Sequence, residues 1–66
     1  MNPDRIRAIR AQYQETQEEF SRRVGVSVDT VRSWEQMRSA PSRLAIDRLL
    51  QVERSAPKDP LLAVGA

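Results

Sequence analysis

The sequence predicts an all-α fold, a small bundle of four helices, or five if the C-terminal residues add a turn. Three observations carry this expectation. Apolar residues recur at spacings of three and four, and no run alternates apolar with polar residues as a strand would. Asn, Thr and Ser stand immediately before the periodic segments, where helix caps are needed. The chain has 66 residues, enough for one domain, and a domain of that size hides only about 60% of the surface its unfolded chain exposes. With 39% hydrophobic and 30% charged residues, the composition is that of a folded, soluble domain.

The elements follow in order. Asn2 is a good N-cap and Pro3 suits the first helical position. Ile6, Ile9 and Tyr13 then form an apolar stripe, with Arg5 and Arg7 on other faces. Thr16 and Glu19 have the spacing of a capping box, which opens a second helix with Phe20 and Val24 on its buried side and Gly25 at its end. Ser27 caps a third helix, in which Val31 and Trp34 face inward and Asp29 complements the positive helix end. Residues 37–42 are a break containing Pro41. A fourth helix over about residues 42–53 places Ala45, Ile46, Leu49, Leu50 and Val52 on a broad inner face. Residues 1–54 thus form the domain, and residues 55–66 a tail. In that tail 55–60 reads as a linker with two prolines, Asp59-Pro60 can start one more helical turn, and Leu61-Leu62-Ala63-Val64 is a short apolar stretch.

Composition narrows the function. There is no Cys and no His, so disulfides, thiolate or imidazole metal ligands and a histidine base are excluded. A site made only of carboxylates, hydroxyls and Arg on so small a domain is a poor enzyme candidate, and no cofactor is expected. The apolar stretches are far too short for a membrane span or a signal-peptide core, which gives a cytoplasmic expectation. Net charge is only +2, but ten of the eleven basic residues are Arg. Arg's planar fork of donors suits phosphates and guanine edges, although a GC-rich genome would produce the same usage.

The informative stretch is residues 16–35. Two short helices joined by Val24-Gly25-Val26-Ser27 form a helix-turn-helix, whose second helix is presented outward toward a DNA major groove. Phe20, Val24, Val26, Val31 and Trp34 point inward, which leaves Val28, Asp29, Arg32 and Ser33 outside. Thr16-Gln17-Glu18-Glu19-Phe20, Val24-Gly25-Val26-Ser27 and Thr30-Val31-Arg32-Ser33-Trp34-Glu35-Gln36 resemble the Cro and phage-repressor (XRE-type) family of DNA-binding domains. The resemblance runs from Ile6 to about Val52.

That resemblance implies a lambda-repressor-like bundle acting as a dimeric regulator on palindromic double-stranded DNA. Its small members include phage regulators and HigA-like antitoxins. It places the recognition helix from Val28 to about Gln36, with Val28, Asp29, Arg32 and Ser33 toward base edges. Arg32 can bond guanine bidentately, Ser33 specifies weakly, and Val28 can pack on a thymine methyl. Asp29 either accepts from cytosine or only serves the helix N-terminus. Gln17 corresponds to a phosphate-binding position at a helix start, its alternative being a solvated side chain. Gln36, Arg38, Ser39 and Arg43 are assigned to the sugar-phosphate backbone, and Arg10 is paired with Glu35 between the first and third helices. Two departures stand out: Gln14-Glu15 and Met37 replace residues of which the family usually has Gly at the first and at Met37. If the backbone at Met37 is left-handed, Met costs about 1 kcal/mol relative to Gly. No contact is assigned to Arg5, Arg7, Arg22, Arg23 or Arg48. The rival reading is a protein-binding module, such as an antitoxin that masks a toxin through residues 55–66. A helical scaffold with no DNA role is the remaining alternative.

Overall fold

In the computed structural model, which describes residues 1–57, each helix starts where a side chain can serve its first free amides. The Arg5 amide donates to Asn2 Oδ1 at 2.8 Å, and Pro3, with no amide to satisfy, opens α1 (Pro3–Gln12). At α2 (Gln17–Val24) the capping box is complete: the Glu19 amide donates to Thr16 Oγ1 (3.1 Å) and the Thr16 amide to Glu19 Oε1 (2.9 Å). The main-chain bond, and after it the side-chain bond to Thr16, holds the Glu19 carboxyl below the ordinary carboxylate pKa. Ser27 and Ser42 accept from the Thr30 and Ala45 amides and so open α3 (Val28–Glu35) and α4 (Arg43–Ser55). The fourth helix therefore reaches Ser55, slightly beyond the expected end. The expectations for Asp59-Pro60 and Leu61-Leu62-Ala63-Val64 lie outside the described residues.

The helix-turn-helix pair, α2 and α3, packs most closely, while α1 lies against α3 and α4, and α4 also covers α2. Where they meet, Ile6, Ile9, Phe20, Val24, Val31, Trp34, Ala45 and Leu49 form the core. The inner face of α4 is narrower than its apolar pattern suggested. Ala45 and Leu49 are buried, but Ile46, Leu50 and Val52 are only half-buried, because α4 meets neighbours along one stripe. Val26 is likewise half-buried at the edge of the core. Tyr13 sits just past the end of α1, where its hydroxyl donates to the Val52 carbonyl (2.6 Å). The Arg23 guanidinium lies 3.9 Å from the centre of its ring, and Arg23 also pairs with Glu15.

Three helices end on a left-handed residue, and only one of these is glycine. Gly25 (φ 88°) ends α2, and a Cβ there would stand 3.0 Å from Arg48 Nη1. Gln14 (φ 54°) ends α1, with the Gln14 and Glu15 amides donating back to the Ala11 and Arg10 carbonyls. Met37 (φ 60°) ends α3 in the same way, its amide donating to the Trp34 carbonyl and that of Arg38 to the Ser33 carbonyl. The loop thus keeps the shape a glycine would give it, with methionine bearing the strain. The Met37 side chain is 79% exposed, so little packing offsets that cost. Met37→Gly is accordingly expected to raise the unfolding free energy by up to about 1 kcal/mol, measured by urea denaturation. A destabilised variant would show that the Met37 side chain packs usefully after all.

Candidate nucleic-acid interface

The outer face of α3 is the surface that the rest of the bundle leaves free. Val31, Trp34 and Glu35 turn into the protein, whereas Asp29 and Arg32 are exposed and Val28 and Ser33 half-buried. These last four occupy i, i+1, i+4 and i+5, so they share one side of the helix. Ser27, not Asp29, caps the helix, and its hydroxyl lies 2.8 Å from that of Thr30. Asp29 instead accepts from Arg32 Nη1 at 3.4 Å across one turn, an exposed and therefore weak pair.

Around this face the expected backbone-contacting residues fall into two groups. Gln36, Arg38, Ser39 and Arg43 are all exposed, on the stretch from the end of α3 to the start of α4. The buried Pro41 ties that stretch to the bundle. Neither Arg38 nor Arg43 is paired with a described carboxylate, in contrast to Arg5, Arg7, Arg10, Arg23 and Arg32. Gln17 is different. It opens α2, so its main-chain N–H belongs to the unpaired first turn, but its side-chain amide donates inward to Glu35 Oε1 at 3.2 Å.

Glu35 is where three helices join. The carboxylate is 4% exposed and accepts a fork from Arg10, Nε to Oε2 and Nη2 to Oε1, both at 2.9 Å. Arg10 Nη1 reaches on to the Glu15 carbonyl at 3.1 Å, beside the turn into α2. Arg7 approaches from the same helix, its Nε 3.6 Å from Glu35 Oε1 and its Nη2 donating to the Glu35 main-chain carbonyl. No buried side-chain nitrogen or oxygen lacks a partner among the described residues.

A family model described as helix-turn-helix matches residues 6–52, more than half of the chain. The chain belongs to the XRE-type helix-turn-helix family. Membership in this helix-turn-helix family makes it a DNA-binding regulatory domain, and the matched span covers α2, α3, the loop after α3 and the Arg10–Glu35 pair. No curated protein and no solved structure matches the chain. None of the described helices is long and apolar enough to cross a membrane. Beyond the family pattern, the structure adds Arg7 to the surroundings of Glu35, a contact sequence reading did not assign. Its signal was present in the spacing: Arg7 and Arg10 are three residues apart and so lie on neighbouring positions of α1. Arg5, bonded to Glu53, and Arg48, donating to the Gly25 carbonyl at 3.4 Å, had no such signal.

Proposed function

We propose that the protein is a sequence-specific transcriptional regulator, a homodimer that represses its own gene from a palindromic operator. The observation that carries this reading is the free outer face of α3, with Arg32 projecting from it and Arg38 and Arg43 beside its end, neither paired with a carboxylate among the described residues. Arg32 reads guanine through O6 and N7. Asp29 steadies the Arg32 guanidinium from one turn away, and Ser33 and Val28 complete the reading surface. Gln36, Arg38, Ser39 and Arg43, with the Gln17 main chain, hold the sugar-phosphate backbone and fix the register.

Reach favours a dimer. An eight-residue helix is only about 12 Å long, so one copy reads a few base pairs. Two copies related by a two-fold axis read a site twice as long, with recognition helices about 34 Å apart on one face of the duplex. The direct test is a gel shift on DNA from upstream of the protein's own gene, repeated over a range of salt. With Arg38 and Arg43 from both protomers on phosphates, log Kd against log salt should have a slope of magnitude about 4. A flat salt dependence would replace this reading with the protein-binding one, in which the chain neutralises a partner.

A further inference from the structure

We propose that Arg7 is a positioning residue for DNA reading, holding the main chain at the C-terminal end of the recognition helix so that Val28, Asp29, Arg32 and Ser33 meet the bases in register. The proposal rests on the assignment of α3 as that helix.

A helix of two turns is not stable by itself and takes its direction from what grips it. The end of α3 has its own hydrogen-bond pattern: the Gln36 amide donates to Arg32, the Met37 amide to Trp34, and the Arg38 and Ser39 amides both to Ser33. The carbonyl of Glu35, last residue of α3, receives none of these amides, and Arg7 Nη2 supplies its donor. The negative end of the helix dipole lies at the same place, so a guanidinium there is favourable on charge as well.

Arg7 and Arg10 grip α3 in different ways. Arg10 holds the Glu35 carboxylate, which is joined to the helix through rotatable side-chain bonds. Arg7 holds the carbonyl, which is part of the helix itself. The remaining nitrogens of Arg7 also face acceptors within the protein, Nη1 at 3.3 Å from Asp4 Oδ1 and Nε at 3.6 Å from Glu35 Oε1. The guanidinium is therefore engaged inside the protein, although the side chain is 48% exposed. The leverage is considerable: a tilt of about 10° at one end moves the other end of a 12 Å helix by about 2 Å. Paired donors on a base tolerate displacements of only about 0.5 Å.

The test uses the full chain with Arg7→Gln and Arg7→Lys. Amide exchange in the free protein is followed at Gln36, Met37 and Arg38, and binding is titrated against a duplex that the wild type selects from random sequence and against its scrambled form. Arg7→Gln is expected to speed exchange of the Met37 and Arg38 amides about tenfold, leaving α2 unchanged. Affinity for the selected duplex should fall about tenfold, with scrambled-duplex affinity and the salt slope unaltered. Arg7→Lys keeps the charge but cannot span carboxylate and carbonyl together, so it should recover only part of both losses. Equal losses on the two duplexes, with a slope smaller by about 0.9 per protomer, would overturn the proposal and make Arg7 a phosphate contact. Unchanged exchange with unchanged affinity would overturn it too, leaving Arg7 a surface charge. A wild-type chain that selects no duplex defeats the DNA reading itself and the positioning role with it; the exchange data would still report whether Arg7 holds the end of α3.

Discussion

Arg10→Met is expected to lower the unfolding free energy by about 3 kcal/mol, a large share of what a single small core supplies. The substitution removes both 2.9 Å bonds from a carboxylate that is 4% exposed and cannot turn back to water without opening the interface between α1 and α3. Gln17 Nε2 at 3.2 Å and Arg7 Nε at 3.6 Å remain, which is why the expected loss is at the lower end for a broken buried pair. Removing the other partner should cost less. In Glu35→Met the stranded groups are Arg10 and Arg7, 25% and 48% exposed, and their long stems let the guanidinium groups reach solvent. The double variant should recover part of the Arg10→Met loss, because apolar residues of similar volume often replace a buried ion pair without penalty. Urea unfolding of the three variants measures this asymmetry. If Glu35→Met proved the more damaging single change, the burial of the carboxylate would not be what makes the pair important.

The second large effect separates reading from holding. Arg32→Ala is expected to cost about 1–3 kcal/mol on the operator and far less on scrambled DNA, with melting unchanged, since the side chain is exposed and its only described partner is Asp29. Arg38→Ala should weaken both duplexes alike, because a phosphate contact carries no sequence information. Titration of both variants against both duplexes, with melting as the control on folding, decides between them. Equal losses for Arg32→Ala on the two duplexes would move base reading to Asp29, Ser33 or the shape of the DNA.

What could be read from the sequence divides along physical lines. Helix starts were legible because capping is local: Asn2, Thr16 and Ser27 each act on an amide three residues away, and Ser42, read as the first residue of the fourth helix, does the same as its cap. The core positions of α1, α2 and α3 were legible for the same reason, helical periodicity being a property of a few consecutive residues. Apart from Arg10, whose pairing with Glu35 the resemblance implied, the partners of the arginines were not. Arg5 meets Glu53, Arg23 meets Glu15 and the Tyr13 ring, and Arg48 meets Gly25. Such contacts depend on where helices cross, and a long side chain reaches partners that spacing does not disclose. The width of the buried face on α4 depended equally on its neighbours, which is why Ile46, Leu50 and Val52 emerged half-buried. Gln17 was read as a phosphate-binding position or a solvated side chain, whereas its side-chain amide turns inward to Glu35, a contact only the folded arrangement reveals.

The burial of Glu35 among Arg7, Arg10 and Gln17 also bears on how this protein can diverge. None of the four outer-face residues belongs to that cluster: the side chains of Val28, Asp29, Arg32 and Ser33 make no bond to Glu35, Arg7, Arg10 or Gln17 among the described residues. Exchanges there leave those bonds between the helices untouched, whereas a change at position 10 strands the buried Glu35 carboxylate and one at position 35 strands Arg10 and Arg7. The two halves of one short helix are thus under different constraints. A change on its inner side costs stability unless its partner changes too, and its outer side can change one residue at a time, so a new DNA preference can be acquired with the joint between the helices intact.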